Sequence, residues 1–337
     1  MKSQILRFVD LEDMLFGNAH RTGTPRAWVD LMKEAYLLDM DGVIYREDHL
    51  IPGALDLIDA FRENGIPFLF LTNNSMPTPE DLVVKMRHLG VEGLSARHFY
   101  TSAMNTADFL RETYPESTAF VLGEGGLLAA LKEAGIANDP IGPDFVIVGE
   151  GYPSLEKLNK AHGYLEKGAR LVATNPDNWC PVEATKTRPG AGATAAYLEA
   201  STGRPAYYLG KPNAFMFSRA CRRMLAGTTT DPGSYRVIMV GDTMETDIRG
   251  SVEMGLRAYL VLTGSSRLED LSRYVYQPTR VLPSVKELAE EIRTGKPAEC
   301  QLRQELPPPQ PRRAGRHQTD IENYRGRYPR PPMTRGG

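Results

Sequence analysis

A short apolar run, Tyr36-Leu37-Leu38, ends in two aspartates one residue apart, Asp39 and Asp41, followed by Gly42. A carboxylate pair at such a place can divide labour, one member attacking or binding metal while the other moves protons. If the strand continues through them, period-two alternation points both to the same side. Gly42 then lets the backbone leave the sheet. Three more stretches end in chemically able residues. Ile66 to Leu71 runs into Thr72-Asn73-Asn74-Ser75, Ala206 to Leu209 into Gly210-Lys211-Pro212, and Arg236 to Val240 into Gly241-Asp242, with Asp247 shortly after. Each alone has an ordinary account: an Asx turn, a helix cap, a surface lysine, acids at a helix N-terminus. Together they supply two carboxylates, a hydroxyl, an ammonium and an acid pair able to hold a metal, a set suited to phosphate chemistry.

These residues need a scaffold that brings four strand ends to one rim. Ligands in an open α/β sheet bind just beyond the carboxyl ends of the strands. Ala54 to Asn64 reads as a helix with Leu55, Ile58 and Phe61 on one face and Gly65 as its stop. Pro79 to Gly90 reads as another, between apolar strands, which fits parallel βαβ units. The middle third repeats the pattern. Strands are predicted at 119–122, 145–148 and 170–174, and helices at 127–134, 155–167 and 192–200. The expected fold is therefore α/β: a Rossmann-like parallel sheet with a second, smaller α/β domain inserted. Residues 139–144 and 175–190 read as loops. The second is long enough to suggest function. A helix is predicted at 247–254 and a last one at 285–292.

Composition bounds the answer. The 337 residues are 41% hydrophobic and 24% charged, ordinary for a globular chain, with a net charge of -2. From Gly295 to Gly337, nine Lys and Arg face four Asp and Glu, a net of +5 that leaves -7 on the body. An acidic body is a poor nucleic-acid surface. The Pro- and Arg-rich 295–337 segment reads as a disordered tail, and residues 1–34 as a helical extension, with Ile5, Val9 and Met14 at helical spacing. Cys180, Cys221 and Cys300 form no C-x-x-C pair, which suits a reducing compartment. No apolar run approaches a membrane span. With Asp10, Glu12 and Asp13, the start lacks the form of a signal peptide. A cytoplasmic protein is expected.

The ordered pattern D-x-D-G, T-N, K-P and G-D-x-x-x-x-D resembles the haloacid dehalogenase superfamily in its phosphatase branch. The insert between the threonine and lysine motifs resembles the class II cap of subclass IIA, which holds NagD-like and p-nitrophenyl-phosphatase-like enzymes. Tyr100-Thr101-Ser102-Ala103-Met104, Pro143 to Gly149 and Ala173-Thr174-Asn175-Pro176-Asp177 are similar to that subclass too. The resemblance covers roughly residues 35–294. It implies a catalytic core at 35–114 and 206–294 and a specificity cap at 115–205.

The resemblance also implies roles. Asp39 attacks phosphorus and forms an aspartyl-phosphate; Asp41 protonates the leaving oxygen, then activates water. Magnesium binds Asp39, Asp242 and the backbone carbonyl of Asp41, with Asp247 supporting that shell. Thr72, Asn73 and Asn74 hold phosphate oxygens, and Lys211 stabilises charge on Asp39 and on the transferring group. Asn175, Asp177, Trp179 and the stretch Glu183 to Arg188 are the cap candidates. There Trp179 is suited to stacking on a base, and Arg188 or Lys186 to pairing with a second anion.

Dehalogenase members lack the second acid, so Asp41 points to phosphoryl transfer, and the large cap to water as acceptor rather than a sugar phosphate. The expectation is a magnesium-dependent phosphomonoesterase for small phosphorylated metabolites, nucleoside monophosphates first, with phosphoglycolate, sugar phosphates or pyridoxal phosphate as alternatives. A homo-oligomer through the cap is expected. A non-catalytic binding protein on this fold would lack Asp39, Asp41 or Asp242, and all three are present.

Overall fold

A computed structural model of the chain describes residues 32–139, 141–183 and 186–297. The predicted N-terminal helix, most of the basic tail and Cys300 lie outside the described residues.

Strand β1 (Lys33–Leu38) is followed by a small hairpin, β2 (Tyr45–Arg46) and β3 (His49–Leu50), then helix α1 (Ala54–Glu63). Next come β4 (Phe68–Thr72), α2 (Pro79–His88), β5 (Phe99–Thr101) and α3 (Ser102–Thr113). The middle of the chain forms β6 (Thr118–Leu122), α4 (Gly126–Glu133), β7 (Ala137–Asn138), β8 (Phe145–Val148), α5 (Leu155–Glu166) and β9 (Arg170–Ala173). It continues through β10 (Trp179–Glu183), β11 (Lys186–Pro189), α6 (Ala191–Thr202) and β12 (Ala206–Tyr208). The last part holds α7 (Ala214–Leu225), β13 (Tyr235–Gly241), α8 (Arg249–Glu253), β14 (Arg257–Val261), β15 (Arg280–Leu282) and α9 (Val285–Thr294).

Two parallel sheets result. The first has the order β15-β14-β13-β1-β4-β5, the second β12-β9-β8-β6-β7. The α/β class, with a Rossmann-like core sheet, is as expected. Strand β1 is buried on both faces, which is why it reads as a continuous apolar run. Tyr36 and Leu38 pack with Leu57, Ile58 and Phe61 of α1 on one side; Ala35 and Leu37 pack with Met216 and Phe217 of α7 on the other. The second sheet is covered the same way. Val121 and Ile147 meet Leu127 and Leu131 of α4, while Phe120 and Val146 meet Ala161 and Leu165 of α5. Helix α2 starts on a capping box: Asp81 N–H donates to Thr78 Oγ1 at 3.1 Å and Thr78 N–H donates to Asp81 Oδ2 at 2.9 Å.

The structure revises several expectations. Ala206–Tyr208 pairs with β9, so the chain crosses back to the first sheet after Tyr208, not before Ala206. The 175–190 segment is not all loop: β10 and β11 form an antiparallel ribbon. Strand β15 completes the first sheet at a place where no strand was expected. The helix predicted from Asp247 begins instead with a π-helical turn, Met244–Ile248, ahead of α8. Among the described residues no helix is long and apolar enough to cross a membrane.

Candidate active site

Strand β1 lies between β13 and β4, and the chain leaves it in opposite directions along the sheet. That switch point opens a crevice at the carboxyl ends. Asp39 follows β1, Asp242 follows β13 and Thr72 closes β4. Asp39 N–H donates to the Val240 carbonyl at 2.9 Å, so the sheet ladder itself fixes the aspartate beside β13.

Lys211 is the hub. It is only 2% exposed, and its Nζ lies 2.7 Å from Asp39 Oδ1 and 2.6 Å from Asp247 Oδ1. Burial alone would lower the ammonium's pKa, but Asp247 and Asp39 outweigh that and raise it, so Lys211 stays charged. Asp39, Asp242 and Asp247 each bring a carboxylate oxygen within 4.8 Å of the others. Burial, then Asp39, pushes the Asp242 carboxyl up to about 6, against hydrogen bonds from Ser265 N–H and Thr243 Oγ1. Burial pushes Asp247 well above the usual carboxylate range, with Lys211 pulling the other way. Three crowded acids beside one ammonium suit a hard divalent cation with oxygen ligands. The residues present therefore fit magnesium, which Asp39 and Asp242 would hold through their side chains with Asp247 beside them.

Local backbone explains the crowding. The π-helical turn buries Asp247, whose Oδ2 accepts from Thr243 N–H at 3.2 Å; such turns recur at functional sites. Gly42 has φ +78°, and a Cβ there would stand 2.6 Å from Asp242 Oδ2. A Cβ on Gly264 would fall on the same carboxylate. Glycine at these two positions is what lets the loops close around Asp242.

Asp41 stands apart from this trio. Strand β1 ends at Leu38, and Asp41 sits in the turn that bridges to Tyr45, so continued strand alternation does not place it. Burial, then Asp39, pushes its carboxyl up to about 6, while Lys85 and Arg46 oppose the shift. Lys85 lies over the Tyr45 ring and Arg46 donates to the Thr263 carbonyl at 2.6 Å. A carboxyl raised this far can carry a proton near neutral pH, as a general acid must.

The threonine–asparagine loop joins the two layers. Asn73 Oδ1 accepts Lys211 N–H at 2.7 Å, and Asn73 Nδ2 donates to the Lys211 carbonyl at 3.2 Å and to Asp177 Oδ2 at 3.1 Å. Asn175 is fully buried; its Nδ2 donates to the Asn73 carbonyl at 2.8 Å and its Oδ1 accepts Asp177 N–H at 3.1 Å. Thr72 Oγ1 accepts Asn74 N–H at 3.1 Å, and Asn74 Oδ1 accepts Met76 N–H at 3.0 Å. The structure thus gathers Asp39, Lys211, Asp242 and Asp247, and links Asp177 to them through Asn73. The Asn74 and Asn175 carboxamides bond within the protein.

Sequence reasoning passed over Glu150, Arg46 and Lys85. Glu150 is buried beside Arg188, with Arg188 Nη2 2.9 Å from Glu150 Oε2. Its signal was an ionisable residue directly after the apolar run Phe145–Gly149, where a parallel strand ends.

A family model described as haloacid dehalogenase-like hydrolase matches residues 36–137, and a HAD-hydrolase-like model matches residues 208–288. The dihydroxyacetone phosphatase of Corynebacterium glutamicum is 38% identical over 257 residues, 76% of this chain and 90% of that protein. The ribonucleotide monophosphatase NagD of Escherichia coli is 36% identical over 253 residues, 75% of this chain and 96% of that one. The crystal structure of a 4-nitrophenylphosphatase from Thermotoga maritima superposes with a TM-score of 0.70 at 34% identity, covering 77% of this chain and 97% of that one. The chain belongs to the haloacid dehalogenase-like hydrolases. Its place there is among the NagD-like phosphatases of subclass IIA, and its reaction is the hydrolysis of phosphoric monoesters.

Proposed function

We propose that the chain is a cytoplasmic, magnesium-dependent phosphomonoesterase acting on small phosphorylated metabolites, nucleoside monophosphates foremost, through an aspartyl-phosphate on Asp39. The observation that carries this reading is Lys211 held between Asp39 and Asp247, with Asp242 alongside. Asp39 attacks phosphorus as the bond to the leaving oxygen breaks, and Asp41 gives that oxygen its proton. Asp41 then takes a proton from water, whose oxygen attacks the same phosphorus. Inorganic phosphate leaves and Asp39 is restored. Lys211 offsets the negative charge that gathers on Asp39 and on the phosphoryl oxygens. Thr72 and the backbone N–H of Asn73 hold those oxygens. Magnesium, bound by Asp39, Asp242 and the Asp41 carbonyl, supplies electrostatic relief between anionic nucleophile and anionic ester. Trp179, 58% exposed at the start of β10, supports the nucleoside preference, since an exposed indole can stack on a base.

Self-association through the second sheet belongs to the same proposal. Leu128 and Ile141 are exposed near edge strand β7, and light scattering of wild type beside Leu128→Glu tests whether the chain pairs there.

The test of activity is phosphate release from a panel of nucleoside monophosphates, sugar phosphates and phosphoglycolate, in magnesium and in chelator. Wild type is run beside Asp39→Asn. Release that needs magnesium and vanishes in the variant is expected. Release that persists in Asp39→Asn would remove the aspartyl-phosphate.

A further inference from the structure

The one buried ion pair of the second layer that the mechanism leaves unused, among the described residues, is Arg188 with Glu150. Their side chains are 12% and 5% exposed. Arg188 lies on β11 opposite Cys180, in the ribbon that follows Asp177. Glu150 lies just beyond β8, and its N–H donates to Ser75 Oγ at 3.0 Å, which ties the pair to the loop carrying Thr72 and Asn73. Asp177, held by Asn73, is close enough to Asp39 and Lys211 to feel both charges, and Glu150 in turn feels Asp177. The pair therefore stands beside the loop that carries Thr72 and Asn73 and beside Asp177, next to the Asp39 and Lys211 cluster.

Two details define what it can bind. Arg188 Nη1 is buried and has no hydrogen-bond partner among the described residues. A buried donor left unpaired is costly, so an oxygen that reached Nη1 would relieve that cost. The Arg188 charge, however, is already matched by Glu150, and Asp177 adds a further negative charge. Taken ionised, these three groups sum to one negative charge, which disfavours a second anion nearby.

We infer that Arg188 and Glu150 select the leaving group: Arg188 Nη1 donates to an uncharged hydroxyl or carbonyl oxygen of the departing alcohol, and Glu150 with Asp177 turns away esters that carry a second anionic group. The inference rests on the phosphomonoesterase reading and narrows its substrates to phosphate esters of neutral, oxygen-rich alcohols. Nucleoside and triose monophosphates qualify; phosphorylated carboxylic acids do not. It reverses the expectation that Arg188 pairs with a second anion.

A matched pair of esters tests it. Glycerol 3-phosphate and 3-phosphoglycerate share a carbon skeleton and differ in a terminal hydroxymethyl against a carboxylate. The readout is the ratio of kcat/KM for the two, by phosphate release in magnesium, with melting curves to confirm folding. Wild type favours glycerol 3-phosphate. Glu150→Gln unmasks the guanidinium and shifts the ratio toward 3-phosphoglycerate by about tenfold, the effect of a unit charge at roughly 10 Å in an effective dielectric near 20. Arg188→Gln shifts it the other way and raises KM for glycerol 3-phosphate. The double variant, Glu150→Gln with Arg188→Gln, leaves no charge unpaired and gives a ratio between those two. If folded Glu150→Gln and Arg188→Gln both keep the wild-type ratio, the inference is wrong. Should Glu150→Gln not fold, Arg188→Gln and the double variant carry the same test. Release of phosphate from p-nitrophenyl phosphate separates the two layers of argument. If wild type hydrolyses it and the ratio is unmoved, selection by this pair falls alone; if wild type releases nothing, the phosphomonoesterase reading falls and takes the inference with it.

Discussion

Replacing Lys211 with methionine keeps the side-chain length and removes the ammonium that stands 2.7 Å from Asp39 and 2.6 Å from Asp247. Water cannot take its place easily, because Lys211 is 2% exposed and Asp247 is fully buried. Breaking a buried ion pair from one side typically costs about 3–5 kcal/mol, because a charge is left without compensation. In a chain of this size each kcal/mol lowers the melting midpoint by roughly 1.5–2 °C, so Lys211→Met should melt about 5–10 °C below wild type in chelator. Magnesium should return part of that loss, since the same carboxylates then gain a divalent cation that binds only the folded form. The gap between melting in magnesium and melting in chelator is therefore wider for the variant than for wild type. Turnover should also fall, by about 10²–10³, the range seen when one preorganised donor is removed from a developing charge. Scanning calorimetry of both proteins in both buffers, with p-nitrophenyl phosphate turnover alongside, makes the measurement. Equal melting of the two proteins in chelator, or an equal rise for both on adding magnesium, would refute the idea that Lys211 neutralises the acid cluster.

Two other substitutions probe the remaining parts of the site. Gly264→Ala places a methyl on the Asp242 carboxylate, so the magnesium concentration for half-maximal activity should rise about 10–100-fold, as when a ligand's supporting shell is disturbed; an unchanged magnesium titration would show that the loop simply moves aside. Asp41→Asn removes the proposed general acid, so turnover of glycerol 3-phosphate should fall by roughly 10²–10⁴, and that of p-nitrophenyl phosphate, whose leaving group departs with little help, far less. Equal losses on both esters would give Asp41 another role.

The ends of the apolar strands told most of the story in advance. Asp39, Thr72 and Asp242 sit where strand-end logic puts them, because a buried parallel strand writes itself as an apolar run and the ligand rim begins where that run stops; Lys211 does not, since it follows β12 of the second sheet and reaches the rim from there. Partnership between strands was not legible. Ala206–Tyr208 reads as a strand from its sequence, but only the fold shows that it pairs with β9. β15 is three residues long between Pro278 and Pro283, too short to show a period. In β10 and β11, Pro181 and Pro189 hid a ribbon behind loop-like composition. The π-helical turn before α8 has no composition of its own; only the backbone reveals that it turns Asp247 inward. Glu150 belongs to no motif, and its meaning depends on Arg188, which lies 38 residues further on.

Asn73 shows why the chemistry and the fold cannot be separated here. Its single carboxamide grips both the N–H and the carbonyl of Lys211 and also holds the Asp177 carboxylate. A side chain with two N–H donors and one carbonyl oxygen has little left to offer a phosphate once those bonds are made. On the proposed mechanism Asn73 is left its backbone N–H to offer substrate, while its side chain sets where Lys211 and Asp177 stand relative to each other. The same carboxamide bridges the loop after β4 and the loop after β9, one from each sheet. Any motion of Asp177 must break or carry that bond, so the position of the second layer and the position of Lys211 are coupled through one residue. If Arg188 and Glu150 select the leaving group as inferred, the Asn73 carboxamide gives that selection a direct physical route to Lys211 and so to Asp39.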